Sequence, residues 1–120
     1  ARLDFADLTQ ANLHAAALVD ADLAQVNCAQ ANLSAIHAIG AYLAGANLSG
    51  ADLSEADLRW ANLSKADLTE ARLDRSLLRG TNLTRSNLQN VDLRSSFLLG
   101  ANLRHAHVEG ALLPPSDADG

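Results

Sequence analysis

Leucine recurs at every fifth residue from Leu3 to Leu113, interrupted only by Cys28, Ala38 and Val108, and two residues before each of these positions comes a small one. That small position is Ala in 16 of 23 units and Val, Ile, Ser or Thr in the others. A period of five fits neither an amphipathic helix, whose apolar positions recur every three to four residues, nor a strand alternating every two. It predicts a short straight edge followed by a turn, repeated, with the large and small residues pointing inward and the other three outward. The chain then coils around its own side chains, and a narrow shared interior accounts for one large and one small residue per edge.

The unit reads A-(D/N)-L-x-x, most plainly in ADLSEADLRWANLSKADLTEA, residues 51–71. In this it resembles the pentapeptide-repeat family over residues 1–115. The resemblance implies an all-β fold, a right-handed quadrilateral β-helix solenoid with 20 residues per coil. The 23 units at residues 1–115 then make one domain of just under six coils, and residues 116–120 an acidic flexible C-terminal tail. A shared fold does not fix an activity.

Outward charges bear on the lap length, because opposite charges stack across neighbouring strands better than like ones. A 20-residue lap aligns Arg2/Asp22, Asp52/Arg72, Arg72/Asp92, Glu55/Arg75 and Asp74/Arg94, against the like pairs Arg59/Arg79 and Lys65/Arg85. A 15-residue lap stacks as many like pairs as opposite ones, so the charges favour four sides.

Asn or Asp precedes the central residue in 14 of 23 units, where its side chain either bonds local backbone at a turn or stacks on the next coil. On a 20-residue lap Asn62, Asn82 and Asn102 align, as do Asn27 and Asn47. This structural role accounts for the acids without a general acid and base, and no catalytic residue is assigned. In Val26-Asn27-Cys28 and Ile36-His37-Ala38 the small position grows as the large one shrinks, which conserves volume. Cys28 is therefore expected as a buried core thiol; a lone cysteine makes no internal disulfide. His105 and His107 lack a third ligand at familiar spacing, so neither a metal nor a cofactor is expected. Apolar runs are far too short for a membrane span, and the start carries no signal-peptide pattern.

Binding information should lie where outward positions depart from polarity. A 20-residue lap collects Ala17, Val19, His37, Ile39, Trp60, Leu77, Arg79, Phe97 and Leu99 on one side, with Asp57 and Arg59 among them. Solvent-facing apolar clusters mark contacts, and Trp and Arg are favoured anchors. Trp60, Leu77, Arg79, Phe97 and Leu99 are thus the candidate interaction surface, for a protein partner or for self-association; the bland alternative is that the C-terminal tail folds back over Leu77, Phe97 and Leu99. Pro114 and Pro115, which donate nothing to a ladder, read as a managed end. Ala1 enters mid-pattern, which points to a fragment of a longer protein or to a homodimer pairing through an open coil end.

Charge is uneven along the axis: residues 1–58 hold seven acids and one base, residues 59–110 five acids and eight bases. Some members of the family that the chain resembles imitate a DNA duplex and protect type II topoisomerases such as DNA gyrase, which requires regular negative charge. The basic second half works against such mimicry, which stands as the alternative function. The arginines, spread over several sides, argue against direct nucleic-acid binding. The sequence reading is a non-enzymatic scaffold or protein-interaction module.

Overall fold

A computed structural model describes residues 2–115. Its repeating element is a bridge residue, an inward leucine and a two-residue corner. Every bridge is parallel and joins residues 20 apart, from Arg2 with Asp22 to Asp92 with Leu112. Four edges therefore close each lap, and the extents of 39 × 24 × 22 Å give the near-equal cross-section of a four-sided rod. The fold is the right-handed quadrilateral β-helix that the repeat implied.

Local bonding explains why five residues suffice for an edge and a corner. The Leu3 carbonyl accepts the Ala6 N–H at 3.0 Å, closing a four-residue turn over Asp4 and Phe5, and the same bond recurs around the coil. Phe5 has a φ of 63°, the sign that a type II turn demands at its third residue. All the corner residues from Phe5 to Gly110 share it except Ser95, and most are not glycine. The left-handed region costs an L-residue about 1–2 kcal/mol. These corners hold because ladder bonds to the next coil fix them, as where the Gln25 N–H donates to the Ala44 carbonyl at 2.9 Å.

Ser95 marks the one corner that departs from this pattern among the described residues. The Arg75 N–H, which the register would direct to the Arg94 carbonyl, donates instead to Ser95 Oγ at 3.1 Å. The Arg72/Asp92 pairing is correspondingly missing from the otherwise continuous ladder of that side.

The role of the Asn and Asp column is settled in favour of local backbone. All 14 of these residues accept the N–H of the residue two ahead through Oδ1, at 2.9–3.3 Å. Each turn thereby gains a side-chain acceptor for an otherwise outward N–H. The alignments Asn62–Asn82–Asn102 and Asn27–Asn47 are real in the backbone ladder.

The interior is the predicted stack of leucines and small residues. The inward leucines from Leu48 to Leu93, five residues apart, are essentially inaccessible, as are Ala38, Val26 and Ile36, and Cys28 is 2% exposed. Each fully buried leucine contributes about 1.5–3 kcal/mol. One stretch of the small-residue column is polar: Ser76, Thr81, Ser86 and Ser96 are buried. Their hydroxyls are satisfied, Thr81 donating to the Leu58 carbonyl at 2.7 Å, Ser86 to Leu83 at 2.8 Å and Ser96 to Leu73 at 2.8 Å. A buried hydroxyl is tolerated on that condition.

Two expectations require correction. Of the five opposite-charge pairs aligned across coils, only Glu55–Arg75 comes within contact, at 3.3 Å. Arg2, Arg72 and Arg94 turn instead to Asp4, Asp74 and Asp92, two residues along the same coil. Residues two apart on an extended edge share a face, so these pairs form without spanning the coil spacing. The period also places Val108 and Leu113 inside, yet they are 38% and 49% exposed, because no further coil among the described residues covers them. The acidic segment 116–120 lies outside the described residues.

Candidate functional site

Two outward rows build the predicted face. Ala17, His37, Asp57, Leu77 and Phe97 follow one another in a continuous parallel ladder. Val19, Ile39, Arg59, Arg79 and Leu99 form the second row, tied to the corners below them: the Asp20 N–H donates to Ile39, Gly40 to Arg59, Trp60 to Arg79 and Gly80 to Leu99, at 2.9–3.0 Å. Three consecutive coils thus bring Trp60, Leu77, Arg79, Phe97 and Leu99 to one side. Trp60, Phe97 and Leu99 are 62%, 57% and 61% exposed, Arg79 is exposed and Leu77 half-buried.

Trp60 owes its position to a missing side chain. The corner column above it continues as Gly80 and Gly100, and a Cβ built on Gly80 would fall within the indole ring. The ring therefore lies down on Gly80, where any other residue would displace it. Below Leu77, Asp57 and Arg59 close a two-pronged ion pair, with Arg59 Nε and Nη2 donating to Oδ1 and Oδ2 at 2.8 and 2.7 Å. The Arg59 hydrogen bond holds the Asp57 carboxyl below the ordinary carboxylate range. Arg59 is thus engaged, whereas Arg79 makes no ion pair among the described residues.

A second feature lies on a different side and was passed over in the sequence. The corner residues Lys65, Arg85 and His105 stand in one column, bonded coil to coil by Lys65 N–H to Thr84 and Arg85 N–H to Arg104 at 2.9 and 3.0 Å. Together with Arg104 they line a shallow cleft of about 390 Å³ floored by Asn82 and Asn102. The 20-residue spacing was the available signal. Counted singly, Lys65/Arg85 is a like-charge pair that opposes stacking; taken with Arg104 beside it and His105 above, it is a concentration of basic side chains.

Cys28 is buried, and burial pushes its thiol up to about 11, which leaves no reactive thiolate near neutral pH. No group of three or more metal-ligating side chains occurs among the described residues. No helix among them is long and apolar enough to cross a membrane.

The family model for pentapeptide repeats matches the chain in overlapping segments covering residues 1–113, namely 1–37, 21–64, 41–80, 61–98 and 81–113. Among solved structures it is similar to Rfr23, a pentapeptide repeat protein from the cyanobacterium Cyanothece 51142. The identity is 32%, over 81% of this chain and 63% of that one, with a TM-score of 0.58. A pentapeptide repeat protein of the Arabidopsis thaliana thylakoid lumen is also 32% identical, over 74% of this chain and 66% of its own, with a TM-score of 0.63. QnrB1, a plasmid-mediated fluoroquinolone resistance protein, shares the fold at a TM-score of 0.65 but only 18% identity, over 84% of this chain and 59% of its own. The chain spans less than two thirds of the length of each. No curated protein matches it. With the repeat model matched almost from end to end and the four-sided coil in place, the chain belongs to the pentapeptide-repeat family.

Proposed function

We propose that this chain is a non-enzymatic interaction module that binds a protein partner through the side carrying Trp60, Leu77, Arg79, Phe97 and Leu99. The observation that carries the reading is the exposed indole seated on Gly80, on the same side of the rod as the exposed Phe97 and Leu99. A rigid aromatic anchor loses little conformational freedom on binding, and Arg79 supplies a charged donor at its edge. The rod offers a preformed surface, since its corners and edges are bonded to both neighbouring coils. Interfaces are enriched in Trp, Phe and Arg and depleted in lysine and carboxylates.

The test is to replace Trp60 and Phe97 together with Ser and to follow partner capture and self-association by pull-down and light scattering. Loss of both, with the β-helix circular dichroism retained, is the expected result; unchanged capture and scattering would overturn the assignment. A DNA-mimicking role at DNA gyrase needs negative charge along the whole rod, and residues 59–110 carry a net charge of +3. Gyrase supercoiling is accordingly expected to proceed unaffected by this protein, and strong inhibition or drug protection would replace the present reading.

A further inference from the structure

The cleft beside Lys65, Arg85 and His105 is rich in hydrogen-bond donors, and the reason lies in the repeat itself. Asn82 and Asn102 turn Oδ1 inward to accept the N–H groups of Thr84 and Arg104, at 3.0 and 3.1 Å. Their amide NH2 groups are what remain for the outside. Arg85, Arg104 and Lys65 add permanent charges, and none of them is in an ion pair among the described residues, unlike Arg59, Arg75 and Arg94. No carboxylate lines the cleft. Arg2, Arg59, Arg72, Arg75 and Arg94 are answered by acids two residues away or one coil off; apart from Arg79, the cations left facing solvent among the described residues are those gathered here.

We propose that this cleft is a binding site for a compact oligophosphate. Lys65 to His105 spans two coil steps, roughly 10 Å, about the reach of two or three linked phosphoryl groups. Guanidinium forks match the tetrahedral oxygens of phosphate, and the amide and Ser64 hydroxyl donors complete a set that a single carboxylate would not use up. A long polyanion fits less well. The same corner column continues below Lys65 as Gly45 and Gln25, without charge, and the chain as a whole carries a net charge of −5. This site is independent of the apolar side and stands or falls separately from it.

Isothermal titration of the whole chain with inorganic triphosphate at low salt tests the assignment. Saturable one-to-one binding is expected, weakened about tenfold or more by the double variant R85Q/R104Q. The variant R72Q/R75Q removes the same charge from another part of the rod and is expected to bind within about twofold of the parent. ATP run beside triphosphate identifies the source: equal affinity assigns the phosphate chain alone, tighter ATP assigns a nucleotide, and both support the site. Absence of saturation, equal weakening by the two double variants, or succinate binding as tightly as triphosphate would overturn it. So would tighter binding of a single-stranded oligothymidylate, which would make the cleft a nucleic-acid track. Both arginine pairs are exposed, so circular dichroism is expected to be the same for all variants.

Discussion

The indole of Trp60 rests on Gly80, one coil further along, in the space that a Cβ would take. Both residues have φ above 60°, so both occupy the third position of a type II corner. A large side chain on one coil and none on the next is a matched pair, and the 20-residue lap is what makes the two neighbours.

Gly80→Ala is expected to do two things at once. It places an L-residue at a φ of 66° and drives a methyl group into the ring, so Trp60 must leave its seat. The backbone cost alone is about 1 kcal/mol, with the clash added to it. Gly100→Ala has the same backbone cost but meets nothing nearer than the Gly80 backbone at 3.7 Å. Tryptophan fluorescence should shift in the first variant and stay unchanged in the second, while thermal unfolding shows the larger loss in the first.

Cys28 should be inert in the folded rod. Its thiol sits at about 11, raised by burial, and the side chain is closed off by neighbouring coils. At pH 8 an aromatic disulfide reagent is expected to leave it unmodified over hours, and to react within minutes once denaturant returns the thiol to water and to its ordinary range of about 8.5. Rapid reaction without denaturant would show that the coil opens around residue 28.

Acid should loosen the surface at Asp92. Hydrogen bonds from the Arg94 side chain, and then from its backbone N–H, hold this carboxyl at about 2. Because the folded value lies below the ordinary 3.8, the contribution is fully present above about pH 4 and is lost as pH falls toward 2. Carboxyl titration followed by NMR should give a midpoint near 2 in the parent protein. In Arg94→Gln the midpoint should move up toward the ordinary value; no movement would mean that the ion pair is not formed in solution.

Much of this architecture was legible along the chain. Period five set which residues lie inside, since one straight edge and one turn consume five residues, and the exchange at Val26/Cys28 and Ile36/Ala38 read correctly as conserved volume. The 20-residue lap was legible too, but the charges that pointed to it do not pair as the lap alone implies. Arg72 and Arg94 chose the acids beside them, a choice made by side-chain reach and not by register. The irregular corner at Ser95 breaks neither the period of five nor the inward Leu93, so the repeat gave no warning of it.

What the sequence determined by itself was the coil: a short-range pattern repeated without gaps, in which each unit meets the same local demands as the last. What only the tertiary structure decided is everything that depends on neighbours 20 residues away. The seat of Trp60 on Gly80, the outward amides of Asn82 and Asn102, and the column of Lys65, Arg85 and His105 exist because stacking brings distant residues within a few ångströms. The exposure of Val108 and Leu113 has the same origin. An inward side chain is fully buried only between two neighbouring coils, which is why Leu3, Leu8 and Leu13 are also half-exposed, and a repeat motif read one unit at a time contains no record of which neighbours are there.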